Sequence, residues 1–154
     1  MVIGGMLSRS GVAARVNVNS KRQALTTAAE VAARVSGLKP DDILTALAER
    51  EQAGSTGVGH GVALPHAHLP GLDRLTGVFL RLEEPVAFGA VDGRPVDLVF
   101  TLLAPEDAGA EHLQALAKVS RLLRQRELRE QLRQTQTADA IYALLVREAK
   151  PSAA

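Results

Sequence analysis

An α/β fold with a mixed sheet and helices on both faces is the architecture this sequence predicts, and three observations carry it. Val96-Asp-Leu-Val-Phe-Thr-Leu-Leu103 is an almost continuous apolar run, as expected of a central strand buried on both faces. Apolar residues recur at helical spacing in separate blocks before and after that run. The order of the blocks is strand, two helices, a group of strands, then helices, which calls for a sheet covered on two sides.

Taken in order, Arg15-Val-Asn-Val-Asn19 alternates apolar and polar and predicts a short half-buried strand. Ser20 is placed as an N-cap for a helix carrying Ala24, Leu25, Ala28, Val31, Ala32 and Val35 inward, with Gly37 as its stop. Lys39-Pro40-Asp41-Asp42 opens a second helix with proline and acids in its first turn. Ile43, Leu44, Leu47 and Ala48 form its inner face, and it runs to about Arg50–Gln52. After a glycine-rich stretch and a turn at Leu69–Asp73, Leu75–Leu82 reads as a strand. Glu83–Ala90 reads as a loop or short extended piece, and Asp92-Gly93 as a tight turn. Beyond the Val96–Leu103 strand, Glu111–Leu123 forms a helix with Leu113, Leu116, Ala117, Ser120 and Leu123 on one side. Arg126–Gln134 is helical and highly charged, and Thr137 caps a last helix through Ile141, Leu144 and Leu145. The charge run Arg121–Arg133 mixes Glu127 and Glu130 with its arginines, which favours a solvated helical face over a nucleic-acid site.

The 154 residues suit one domain, placed here at 15–149, with 1–14 as an N-terminal extension of no assigned role and 150–154 as a frayed tail. Met6 is an alternative start. Aromatics make up 3%, which disfavours a base-stacking surface or an aromatic sugar cleft. The net charge of +1 gives no global field toward nucleic acid or membrane. The absence of cysteine removes thiolate chemistry and disulfides and fits a reducing cytoplasm. No apolar run reaches the ~20 residues of a membrane span, and the first residues lack the pattern of a signal peptide.

The chemistry concentrates in Gly54–His68, which holds four glycines, Ser55, Thr56 and three of the four histidines. Three readings fit this set. The histidines are incidental to a surface loop, and for His60, set between glycines, this reading is preferred. Alternatively His66 and His68, two apart on a strand, hold a metal; but two ligands are too few, and no Asp or Glu lies between Gln52 and Pro70 to complete a site. The third reading is a phosphoryl-accepting histidine. Neutral imidazole is nucleophilic near pH 7, and the glycines let backbone N–H groups approach an anion. Ser55 and Thr56 supply hydroxyls for the imidazole or the phosphoryl oxygens, and Arg50 supplies positive charge. His112 falls near a helix start that favours an anion. The glycines make neither a P-loop, since no Lys-Ser/Thr follows, nor a dinucleotide turn, since they precede a strand.

Arg50-Glu51-x-x-Gly54-Ser55-Thr56-Gly57-x-Gly59-x-Gly61-x-Ala63-x-Pro65-His66 closely resembles the active-site motif of the phosphotransferase-system enzyme IIA domains of the fructose/mannitol type. The segments Leu75–Phe88 and Ala90–Pro105 resemble the nitrogen-regulatory branch, and Ser20–Leu25 and His112–Ala117 also match; the resemblance covers about Val16–Leu145. It implies a three-layer α/β/α domain with a mixed sheet, the mannitol-type IIA fold. It also implies that His66 is the phosphorylated histidine, His112 the second active-site histidine, Arg50 the arginine near the phosphate, and Ser55 and Thr56 the hydroxyls that position it. No cofactor or metal is implied. The expected donor is a histidine phosphocarrier protein of the HPr/NPr type, charged from phosphoenolpyruvate through an enzyme I. The expected role is a cytoplasmic regulator of nitrogen, potassium or carbon physiology, with sensor kinases or potassium transporters among the targets. The alternative is a sugar-transport IIA subunit that passes phosphate to a separate IIB protein. Many relatives carry glycine and then a basic residue after the active histidine, where this chain has Ala67 and His68. His68 is therefore a possible site residue. Val58, Leu69 and Leu72 are candidates for an apolar docking rim around His66.

Overall fold

The computed structural model describes residues 3–148. A single 3-10 turn (Ile3–Gly5) leads into β1 (Leu7–Val16), followed by α1 (Lys21–Ser36), α2 (Pro40–Gln52), β2 (Gly57–Gly59), β3 (Val62–Ala63) and β4 (His66–Leu69). β5 (Thr76–Val86), β6 (Val96–Pro105), α3 (Gly109–Leu123), α4 (Arg126–Gln134) and α5 (Ala138–Glu148) complete the chain. The expected tail at 150–154 lies outside the described residues.

The sheet is mixed, in the order β1-β5-β6-β3-β2, with β4 also paired to β6. β5 and β6 are antiparallel; β1 runs parallel to β5, and β3 and β4 run parallel to β6. β6 is the central strand its composition predicts. Val99 and Leu103 join the core under α1 and α2, while Leu98, Phe100 and Leu102 join the core under α3, α4 and α5. These are the two helical layers expected on the two faces of the sheet.

The predicted caps are present. Ser20 Oγ accepts from the Gln23 amide at 3.1 Å, and Gly37 adopts φ 78° at the end of α1, a left-handed conformation that favours glycine. Pro40 opens α2 with Asp41 and Asp42 in its first turn, and Thr137 Oγ1 accepts from the Ala140 amide at 3.2 Å.

Four expectations change. The first strand spans Leu7–Val16 rather than Arg15–Asn19, so the 14/15 boundary cuts an element of the sheet. Register shifts between Leu7 and Val12 and between Ala13 and Val16 break its alternation, and this hid the strand from a period-two reading. The strand expected at Leu75–Leu82 runs on as β5 to Val86, so the extended reading of Glu83–Ala90 holds for its first part. The third change is the rotational phase of α3. Its buried face is His112, Ala115, Val119, Leu122 and Leu123, and Leu113, expected inside, is 69% exposed. The fourth is the charge run, which is only partly a solvated face. Arg126 and Glu130 form an exposed i,i+4 pair, but Arg129 is buried and its Nη1 donates to the Leu123 and Arg124 carbonyls at 3.1 and 2.7 Å. It thereby satisfies acceptors left open at the end of α3. Arg133 binds Asp97 at 2.9 Å and donates to the His60 carbonyl at 2.6 Å, and so ties α4 to the glycine-rich loop.

Candidate active site

The chain beside β6 is interrupted where Pro65, which has no N–H to give, follows Leu64. β3 pairs with β6 at Leu98 and Val99; β4 resumes at His66 opposite Leu102, and the Leu102 amide bridges the gap by donating to the Pro65 carbonyl at 2.9 Å. His66 thus stands at the start of a strand anchored to the central strand of the sheet. Its Nδ1 lies 2.8 Å from the Leu64 carbonyl oxygen. A carbonyl only accepts, so Nδ1 carries the proton and Nε2 carries the lone pair. Arg50 Nε donates to that Nε2 at 3.3 Å. The guanidinium is held across the loop by a second bond, from Nη1 to the Gly54 carbonyl at 2.8 Å.

His66 and His68 share a face of β4, as their spacing predicts. Opposite them, the phase of α3 turns His112 inward, to 4% exposure. His112 Nδ1 is 3.0 Å from His68 Nε2. The His66 and His112 ring centroids are 5.5 Å apart at 69°, and those of His68 and His112 are 4.4 Å apart at 86°. The fold therefore brings together the four residues Arg50, His66, His68 and His112. They line a cleft of about 540 Å³ whose remaining wall is Ala46, Glu49, Ala67, Leu113 and Leu116. Two larger hollows, near Met6, Asp73, Arg74 and Leu75, contain no histidine.

Burial pushes the His66 pKa below its ordinary value; the Leu64 carbonyl opposes that shift, and Arg50 adds to it. The His112 pKa is pushed down to about 4, first by burial and then by the neighbouring His68 and His66. Both rings are therefore neutral at pH 7, and His66 is nucleophilic through Nε2. The shift has a consequence for stability. Between the folded value near 4 and the ordinary value of ~6.5, the unfolded chain binds a proton that folded His112 does not. Stability is therefore lost as pH falls from about 6.5 and levels off near 4, by about 3 kcal/mol from this group. Urea midpoints between pH 4 and 8 should show that slope, and His112→Gln should flatten it; an equal slope in the variant would count against the assignment.

Ser55 and Thr56 do not face the cleft as expected. Ser55 Oγ donates to the Phe88 carbonyl at 2.6 Å and accepts from the Gly57 amide at 3.0 Å. Thr56 Oγ1 donates to Glu51 Oε2 at 2.6 Å, and its amide donates to Glu51 Oε1 at 2.9 Å. Both hydroxyls shape the loop. The docking rim also changes: Leu69 and Leu72 are core residues, 2% and 9% exposed. Val58 is exposed but lines a separate hollow with His60 and Arg124. Ala46, Leu113 and Leu116 supply the apolar rim instead. His60 contributes backbone only, its amide bonded to Asp92 and its carbonyl to Arg133. Glu51, given no role by sequence reasoning, is a buried carboxylate next to Arg50 in the chain, paired with Lys21 at 2.9 Å. Its place beside Arg50 in the motif was the available signal.

An α/β/α domain that presents a tautomer-fixed neutral histidine beside a tethered guanidinium matches a known class. Residues 6–148 match the family model described as "Phosphoenolpyruvate-dependent sugar phosphotransferase system, EIIA 2", and the chain belongs to that family. The match includes β1. A nitrogen regulatory protein from Bradyrhizobium diazoefficiens is 46% identical over 145 residues, 94% of this chain and 95% of that protein. The crystal structure of nitrogen regulatory protein IIA-Ntr from Neisseria meningitidis superposes with a TM-score of 0.87 at 40% identity, over 93% of this chain and 98% of that one. These likenesses place the chain in the nitrogen-regulatory branch, as a IIA-Ntr regulatory component. IIA mannitol from Escherichia coli, at 22% identity and a TM-score of 0.76 over 90% of this chain and 97% of that one, shows the mannitol-type fold. Among the described residues no helix is long and apolar enough to cross a membrane.

Proposed function

We propose that His66 accepts a phosphoryl group from a phosphohistidine on an HPr/NPr-type phosphocarrier protein, and that this modification switches the chain's contacts with regulatory targets in the cytoplasm. The observation that carries the reading is the pair of bonds at His66: Nδ1–H held by the Leu64 carbonyl and Nε2 facing Arg50. In the step, the Nε2 lone pair forms the new N–P bond as the P–N bond to the donor breaks, and that electron pair returns to the donor imidazole. The phosphorylated ring keeps its Nδ1 proton, and the Leu64 carbonyl stabilises the positive charge it gains. If the donor ring likewise carries a proton on its other nitrogen, it leaves as neutral imidazole and no proton has to move. Arg50 swings from the consumed lone pair onto the phosphoryl oxygens, where fixed charge lowers the barrier. Ala46, Leu113 and Leu116 form the apolar rim against which the donor docks. Added negative charge beside that exposed rim is the means of changing partners. Sensor kinases, potassium transporters and other regulators of nitrogen or carbon physiology are the target class. Incubation with phosphoenolpyruvate, enzyme I and the carrier should add one acid-labile phosphoryl group, read by intact mass and mapped to His66. Failure to gain it overturns the reading, and consumption of the phosphorylated form only when a sugar and a IIB protein are present would move the chain to transport.

A further inference from the structure

The contact between His68 and His112 differs in kind from the one that fixes His66. A carbonyl oxygen leaves one tautomer open to His66, but His112 Nδ1 faces another imidazole nitrogen, His68 Nε2, at 3.0 Å. Either ring can be the donor. The choice decides what His112 offers on its other side. Its Nε2 is buried without a partner, in a ring whose centroid lies 5.5 Å from that of His66. The low pKa of His112 leaves one proton on the ring at pH 7. If His112 gave that proton to the contact with His68, Nε2 would present a lone pair in a cleft that receives an anion. If His68 donates, the His112 proton stays on Nε2 and faces the phosphoryl oxygens.

We propose that His68 is a positioning residue: it donates from Nε2–H to His112 Nδ1 and thereby holds His112 as the Nε2–H tautomer, a hydrogen-bond donor to the phosphoryl group on His66. The consequence for catalysis rests on the reading of His66 given above; the tautomer assignment does not. His68 lies on the same face of β4 as His66 and is itself exposed. It acts on the reaction through His112. One imidazole thus receives its polarity from another, and the buried nitrogen without a partner gains one when the phosphoryl group arrives.

The test has two arms. Long-range ¹H–¹⁵N correlation spectra of the imidazole rings report the tautomer directly in the unmodified protein, and should show His112 protonated at Nε2 and bare at Nδ1. In the second arm, phosphoryl transfer from the charged carrier is timed. His68→Leu, which removes the donor, should slow transfer about tenfold or more. His68→Lys, which only donates, should restore the rate to within about threefold of the parent. His112 protonated at Nδ1 in the parent protein, or His68→Leu transferring at the parent rate, overturns the proposal. If the parent protein takes up no phosphoryl group, the reading of His66 falls, and the spectrum of the unmodified protein still decides the role of His68.

Discussion

Replacing His66 with alanine should abolish phosphoryl uptake while leaving the fold intact. Removing the nucleophile leaves no atom to form the N–P bond, so transfer should drop by about four orders of magnitude or more. His66 is only half-buried at the start of β4. Its side chain gives up two hydrogen bonds, to the Leu64 carbonyl and from Arg50, a cost of about 1–2 kcal/mol. Arg50→Ala makes the comparison quantitative. It keeps the nucleophile and removes the charge, so transfer should fall by about 10²–10³. The contrast separates bond formation from charge stabilisation. Intact mass after incubation with the charged carrier reads both variants, with urea midpoints as the control for folding. Uptake by His66→Ala, on His68 or His112 for example, would show that the cleft accepts phosphate without the assigned nucleophile.

What the chain discloses without coordinates depends on how local the physics is. Caps at Ser20, Gly37 and Thr137 follow from short-range hydrogen bonding and were legible. The central strand Val96–Leu103 was legible because burial on both faces leaves a continuous apolar run. The bulged strand β1 was not, because its register shifts erase the period on which recognition depends. The phase of α3 is the instructive miss. Leu113 and Leu116 sit three apart and look like an inner face, yet the helix is rotated so that His112 enters the protein and Leu113 leaves it. The cleft has a buried polar group in its wall and an exposed apolar side chain beside it, which reverses the usual preference at both positions. A sequence reading that ranks side chains by hydropathy then assigns them the wrong way round. The same limit hid the roles of Ser55 and Thr56. Their residue types suit a phosphate, but the pairing of Thr56 with Glu51 and of Ser55 with Phe88 depends on where the loop lies over the sheet.

Glu51→Ala should be among the most destabilising single changes near the site, at about 3–4 kcal/mol. The carboxylate is 8% exposed and accepts three hydrogen bonds: the Thr56 amide and Lys21 Nζ on one oxygen, the Thr56 hydroxyl on the other. Alanine leaves the two Thr56 donors buried with no acceptor, at about 1–3 kcal/mol each. The Lys21 contribution is smaller, because that side chain is 30% exposed and water can replace the lost partner. Glu51→Gln retains one acceptor oxygen and should cost about half as much. The effect should also reach the chemistry. Glu51 lies in the last turn of α2 next to Arg50, and the carbonyl of Thr56 accepts from the Leu64 amide at 2.9 Å. Leu64 in turn holds His66 Nδ1. Freeing Thr56 therefore loosens both the guanidinium and the carbonyl that fixes the His66 tautomer. Glu51→Ala should transfer phosphoryl groups about tenfold more slowly even where it remains folded. Urea denaturation paired with the transfer assay checks both halves. A stability loss under about 1 kcal/mol would mean that water satisfies the Thr56 donors and that Glu51 does not hold the loop.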